Sequence, residues 1–311
     1  MSAHPAAPER RQATGRRDTH AMMNLNFGIE LETVGLDHAG LARAIQGALG
    51  GTVDDRHRVI DGKGRTWCVV HDGSLEGAFS GEVVSPVLAY EDIDDLQQVV
   101  RALRHAGARA HASAGIHIHV SHPDLDAGAI GRLLKMVHKQ EELIHHALGI
   151  REQRLQRYCK PVDAEVLRRI EAARPKSAED LKAAWYGSRN ARVCRYDCSR
   201  YRGVNLNSWF YRKTIEFRYF ESTLHAGEVK AYVQFVLALV QAAMKAKAAS
   251  SKRREFQPAS ARYDFRVFLL RLGLIGPEFK TARMHLMKRL EGSAAWKHGR
   301  PEAKPAPEAA P

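Results

Sequence analysis

Three short stretches of this chain alternate apolar and ionisable residues with a period of two, each with its ionisable pair at i and i+2. They are Glu30-Leu31-Glu32, His117-Ile118-His119 and Glu216-Phe217-Arg218. A β-strand turns successive side chains to opposite faces. The stretch "GIHIHVS" (115–121) therefore puts Ile116, Ile118 and Val120 on one side and His117, His119 and Ser121 on the other. "NFGIELETV" does the same with Phe27, Ile29 and Leu31 against Gly28, Glu30 and Glu32. Such strands demand a sheet with one face packed and the other displaying carboxylates, imidazoles and a guanidinium.

A solvated strand face is the bland explanation, and it fits poorly, because Asp is depleted in strands and Glu to a lesser degree. Two carboxylates at i and i+2 lie ~6.6 Å apart and repel by ~2.5 kcal/mol at an effective dielectric of ~20. Glu82 in "GEVVSP", and Asp72 and Glu76 in "HDGSLE", add further acidic positions. Pairs of this kind facing one cavity raise their own pKa values unless a cation intervenes. Oxygen ligands with an imidazole suit Mg²⁺, with Mn²⁺ as the alternative ion, better than zinc. Arg218, two residues from Glu216, makes sense if a transferring phosphoryl group sits between metal and guanidinium. The glycines of "GALGGTVDD" lack the spacing of a phosphate-binding loop, so a nucleotide would be held by metals and basic side chains.

Between these segments the pattern switches repeatedly from period 2 to helical spacing, without an internal repeat of fixed length. Helices are expected over 37–49, 91–106, 126–148, 227–248, 263–273 and 277–290. Strands are expected at 66–72 and 81–86, and "GVNLNSW" (203–209) with "KTIEFRYF" (213–220) reads as a hairpin. The stretch up to about 190 is basic and mostly helical, with "SAED" (177–180) as a capping box. The mixture of hairpin-length and helix-length gaps predicts an α+β fold: a largely antiparallel sheet with helices covering one face and a helical insertion at about 125–195.

The chain has 311 residues, a net charge of +13 and four cysteines. That charge attracts anions of any kind and does not choose among them. Cys194-x-x-x-Cys198 has no partner pair for a zinc site, so reduced structural thiols are expected. Residues 1–21 form a basic tail and 291–311 a Pro/Ala-rich one, both expected to be disordered, with Met22 or Met23 as an alternative start. A single folded domain is then expected over 22–290. The longest apolar run, Ala231 to Met244, is shorter than the ~20 residues a membrane span needs, so a buried helix and a cytoplasmic protein are expected.

Taken in order, "NFGIELE", "WCVVHDGSL", "GEVVSP", "SAGIHIHVS", "YRGVNLNS" and "TIEFRYFEST" resemble the amidoligase family of the carboxylate–amine ligase superfamily, which includes glutamine synthetase and glutamate–cysteine ligase. The resemblance runs from about Asn26 to Leu224. It implies a curved antiparallel catalytic sheet of the glutamine synthetase/glutamate–cysteine ligase type that binds ATP and two or three Mg²⁺. It further implies metal binding by Glu30, Glu32, Glu82, His117 and Glu216, with Glu76 or Asp72 as a further carboxylate. His119 and Arg218 would face the ATP phosphates, and His119, Glu216 and Arg218 would carry the catalysis. Asn205 and Tyr201 fall where nucleotide or substrate binding is implied, and Arg202, from the basic run that ends there, is a candidate anchor for ATP phosphates or a substrate carboxylate. The implied reaction is ATP-dependent amide-bond formation through an acyl phosphate, on small-molecule or peptide carboxylate and amine substrates. A homo-oligomer is compatible with it.

Two other classes compete. A guanidino-kinase-like phosphotransferase shares this kind of sheet, and a basic nucleic-acid-binding protein would suit the charge. The latter needs aromatics on the displayed face, where Glu, His and Arg stand instead, so neither nucleic acid nor membrane is expected as a partner. The helical stretch "HKQEELIHH" (138–146) pairs His138 with Glu142 and Glu141 with His145 at i, i+4, and reads by default as a solvated helix face.

Overall fold

The computed structural model describes residues 22–77 and 79–298. The tail expected at 1–21, and the part of the second tail from 299 on, lie outside the described residues. Eight strands form one open sheet that does not curl closed on itself. They are β1 (Asn26–Val34), β2 (Thr52–Val53), β3 (Val59–Ile60), β4 (Thr66–Val70), β5 (Ser80–Val84), β6 (Gly115–Ser121), β7 (Val204–Asn205) and β8 (Ile215–Glu221). The order across the sheet is β2-β3-β4-β5-β1-β6-β8-β7, and every neighbouring pair is antiparallel.

The apolar face is covered by α1 (His38–Leu49), α2 (Ile93–His105), α3 (Ala127–Leu148) and α8 (Ala226–Lys245). Helix α8 is the centre of the core: it packs on α2, α3, β6 and α10 (Lys280–Leu286) and buries its apolar residues nearly all round. No helix among the described residues is long and apolar enough to cross a membrane. Side-chain caps fix the helix starts: Asp37 accepts from Gly40 N at 2.7 Å, Asp126 from Ala129 N at 2.6 Å and Ser177 from Asp180 N at 3.1 Å. The insertion divides into α3, α4 (Glu152–Arg157), α5 (Ala164–Ala173) and α6 (Ala178–Tyr186). Helix α9 (Ala261–Arg271) follows α8.

The expected strand over 203–209 is corrected. Only Val204 and Asn205 pair with β8; the chain then turns into the short helix α7 (Asn207–Arg212). Asn205 Oδ1 accepts from Asn207 N at 2.8 Å, and Ser208 Oγ donates to Thr214 O at 2.8 Å. These local side-chain bonds offer the backbone an alternative to the ladder. The last helix is also shorter than expected. Arg283 Nη1 donates to Leu274 O and Gly276 O, which ties down the non-helical segment before Lys280. The small strands β2 and β3 were not legible as strands at all.

Candidate active site

Cross-strand register brings the displayed residues together. Glu30 lies opposite His117, Glu32 opposite Glu82, and His119 opposite Glu216. Between Ile116 and Ile118 the β6–β8 register shifts, so that Arg218 and Tyr219 oppose the single residue His117. This is a β-bulge, which bends a strand and re-aims its side chains. Tyr219 goes into the core against the His145 ring, 5.7 Å between centroids, while Arg218 stays on the displayed face. Gly203 permits the crossing, because a Cβ there would lie 2.0 Å from the Tyr219 ring.

The result is a cleft whose floor carries Glu30, Glu32, Glu82, His117, His119, Asn205 and Glu216, with Arg218 and Asp72 at the sides. His117 Nδ1 lies 3.0 Å from Glu30 Oε2 and 3.8 Å from Glu216 Oε1, and its Nε2 lies 3.6 Å from Glu32 Oε1. His119 Nε2 is 3.1 Å from Glu30 Oε1, and its Nδ1 is 3.2 Å from Thr214 Oγ1. Glu216 accepts from Asn205 Nδ2 at 2.6 Å and forms a close ion pair with Arg218. Glu30, His119 and Glu216 each place one ligand atom within 4.8 Å of the others.

The electrostatics are divided. Burial opposes charge on Glu30, but bonds to His117 and His119 outweigh it and hold the carboxyl well below the usual carboxylate range. Glu216 is likewise buried, and the Arg218 guanidinium and the two imidazoles bring its carboxyl down. His119 loses by burial and gains more from Glu30 and Glu216, which raise its pKa. Among the described residues Glu82 has no such partner. Burial, followed by the charges of Glu30, Glu32, Asp72 and Glu216, pushes it up to about 9. Five carboxyl groups thus converge where the side chains at hand stabilise only some of them.

Two expected residues stand elsewhere. Arg202 is turned away from the cleft: its Nη2 donates to Asp163 Oδ2 at 2.8 Å and its guanidinium lies 5.8 Å from the Trp185 ring. The backbone bridge between Arg202 and Lys160 fixes this alternation, so Tyr201 faces in and Arg202 faces out. Glu76 lies in an adjoining cavity, its backbone N–H donating to Ser113 Oγ at 2.9 Å, while Asp72 lines the cleft itself. Six lining residues that carry no expected role are Ser74, Ser113, Arg154, Tyr158, Tyr211 and Arg212, joined by Arg195 and Arg200 from the loop that follows the insertion.

The 138–146 stretch is not a solvated face. Glu141 is 1% exposed and accepts from Val162 N at 2.8 Å and from Arg253 Nη2 at 3.2 Å. Away from the cleft, His225, Glu228 and His285 also bring three ligand atoms within 4.8 Å, but Lys288 is ion-paired with Glu228 there. Of the four cysteines, Cys159 is buried, Cys68 partly buried, and Cys194 and Cys198 exposed, all as free thiols.

The open antiparallel sheet thus sets an acidic, imidazole-bearing floor beneath an arginine rim. The family model described as "Putative amidoligase enzyme" matches residues 23–240, and the chain belongs to that family. No curated protein matches the chain. Among solved structures, a bifunctional glutathione synthetase from Pasteurella multocida is similar at 13% identity and a TM-score of 0.41, over 89% of this chain and 48% of that one. The chain spans about half the length of that protein.

Proposed function

We propose that the protein is an ATP- and Mg²⁺-dependent carboxylate–amine ligase working through an acyl phosphate, on a catalytic sheet of the glutamine synthetase/glutamate–cysteine ligase type. The observation that carries this reading is the convergence of Glu30, Glu32, Glu82 and Glu216 with two imidazoles on one sheet face, beside Arg218. The donor set fits a hard divalent cation, since Glu82 faces four neighbouring carboxylates and has no cationic partner among the described residues. Glu30, Glu32, Glu82, His117 and Glu216 would hold the metal, with Asp72 in place of Glu76. When bound, Mg²⁺ supplies charge neutralisation for phosphoryl transfer.

A substrate carboxylate oxygen takes the γ-phosphoryl group of ATP as its bond to ADP breaks. The amine nitrogen then attacks the acyl carbon, phosphate leaves with the bonding pair, and the amine proton passes to solvent. Arg218 is aimed for charge on the transferring group. Its Nε donates to Tyr158 O at 3.1 Å and its Nη1 is held by Glu216, so the guanidinium is oriented before substrate arrives. His119, fixed between Glu30 and Thr214, presents an imidazole beside the same region. Asn205 orients Glu216 through a buried bond. No protein nucleophile is needed. The substrates are small-molecule or peptide acids and amines; nucleic acid is not one of them.

The test is phosphate release and amide formation from ATP, Mg²⁺ and a pool of amino acids and peptides. Glu30→Gln and Glu216→Gln are expected to abolish both, and Arg218→Met to slow them ~100- to 1000-fold. Metal-independent phosphate release, or full activity in either Gln variant, overturns the reading.

A further inference from the structure

Where β8 gives way to α8, three side chains that line no part of the cleft turn toward one another. His225 caps α8, Glu228 stands in its first turn, and His285 reaches in from α10. The two imidazole rings lie 4.8 Å apart between centroids at an angle of 60°, and each of the three residues offers one ligand atom within 4.8 Å of the other two. A tetrahedral zinc ion with bonds of ~2.0–2.2 Å holds its ligand atoms ~3.4 Å apart. Small rotations of these side chains, of which His225 is exposed, close the remaining distance.

Two neighbours make this more than a contact between rings. Gly227, in the first turn of α8, has no left-handed backbone to require a glycine, and alanine is the better helix former. Its bare Cα is what the imidazoles use: a Cβ there would lie 2.8 Å from His285 Nε2 and 3.4 Å from His225 Nδ1. The second neighbour is Lys288. Its ammonium is ion-paired with Glu228, which is 9% exposed, so a cation already stands at the carboxylate that the imidazoles flank. The Lys288 side chain is 39% exposed and can swing into solvent without stranding a buried charge. The Glu228 N–H donates both to His225 Nδ1 at 3.3 Å and to His225 O at 2.9 Å, so the ring nitrogen can be given up without orphaning a backbone group.

We propose that His225, Glu228 and His285 form a second metal site, selective for a zinc-class ion over magnesium, in which the ion replaces the Lys288 ammonium. Two imidazoles and one carboxylate suit Zn²⁺, whereas Mg²⁺ keeps to oxygen ligands. With His225 exposed, the fourth coordination position is left to water. The ligands come from two parts of the chain. Helix α8 follows β8, the strand that carries Glu216 and Arg218, and α10, the last helix among the described residues, packs along it. A bound ion pins α10 to the start of α8, so it adds to stability and takes no part in the chemistry of the cleft.

The test uses the full chain carrying Glu216→Gln, which disables the Glu30, His119 and Glu216 group of the cleft, freed of metal by chelation. Zinc uptake is measured by calorimetry, and Co²⁺, a coloured substitute for zinc, by visible absorption. One equivalent is expected, with the intense cobalt bands of four-coordination, and excess Mg²⁺ should not displace it. Adding His285→Ala or Glu228→Gln should abolish it. Adding Lys288→Met should tighten it about tenfold, since the ion no longer competes with an ammonium. Zinc should raise the melting temperature, and His285→Ala should cancel that rise; melts without metal confirm that each variant is folded. With the cleft intact, wild type and His285→Ala should differ by the same single equivalent. No zinc uptake, uptake that survives His285→Ala, displacement by Mg²⁺, or an affinity that Lys288→Met leaves unchanged overturns the site.

Discussion

Glu141 shows how far a single buried carboxyl can depart from its sequence context. Burial pushes it up to about 7, against the partial relief given by Val162 N–H and Arg253. Its neighbour His145 is pushed down to about 4 by burial and by the Arg253 charge, so it stays neutral beside Tyr219. An acid whose folded pKa exceeds its unfolded value binds more protons when folded, so stability falls as pH rises between about 4.5 and about 7, then levels off. Glu141→Gln keeps an acceptor for Val162 N–H and removes the titration. The stability of Glu141→Gln relative to wild type is therefore expected to rise across that window, by up to about 3 kcal/mol, which is the shift converted at ~1.4 kcal/mol per pH unit. Urea melts of both proteins at pH 4.5, 6 and 7.5 measure it, and a flat difference rules it out.

At the scale of elements, period-2 alternation made β1, β6 and β8 legible, because an ionisable pair flanked by Ile, Leu or Val has one face that packs and one that cannot. The same reasoning failed just downstream. In "VNLNSW" the Asn205 and Ser208 side chains bond the local backbone, and the strand ends after two residues. It also missed Arg154. Arg151, Arg154 and Arg157 are spaced as ordinary helix surface charge, and only the tertiary fold lays one of them across a glycine. Tyr201 and Arg202 are adjacent in sequence, yet only Tyr201 lines the cleft, because the backbone bridge between Arg202 and Lys160 turns the next side chain away. Such side chains depend on which segments meet, which a single sequence does not encode locally. The bulge at Arg218–Tyr219 makes a prediction at this scale. Gly203→Ala would drive a methyl into the Tyr219 ring, where both neighbours are buried backbone and core. A loss of ~1–3 kcal/mol is expected from overpacking, read as a lower midpoint in chemical denaturation. Activity should fall as well, because Arg218 N donates to Gly203 O at 2.9 Å and the bulge sets the guanidinium. An Ala variant of wild-type stability would show that the bulge relaxes freely.

For the whole molecule, the net charge of +13 coexists with a cleft where four strand-borne carboxylates gather beside two imidazoles, and the guanidinium groups, Arg218 apart, come from surrounding loops and helices. The sheet alone would be a poor place to gather carboxylates, and the fold tolerates them by pairing Glu30 with two imidazoles and Glu216 with Arg218 and Asn205. Glu82 is left facing like charges. These roles separate the effects of removing each carboxylate. Glu30→Gln breaks two imidazole contacts, so the protein without added cation should melt lower. Glu82→Gln removes only repulsion and a protonated acid, so the same protein should melt at an equal or higher temperature. Added Mg²⁺ should raise the melting temperature of the wild type in proportion to the logarithm of its concentration once the site fills. That increment should shrink in both variants, since each lacks a ligand. Stability without cation and response to cation therefore move in opposite directions for Glu82→Gln and together for Glu30→Gln. Thermal melts over a Mg²⁺ series distinguish the two, and an unchanged increment in both variants would mean that the acidic floor holds no divalent ion.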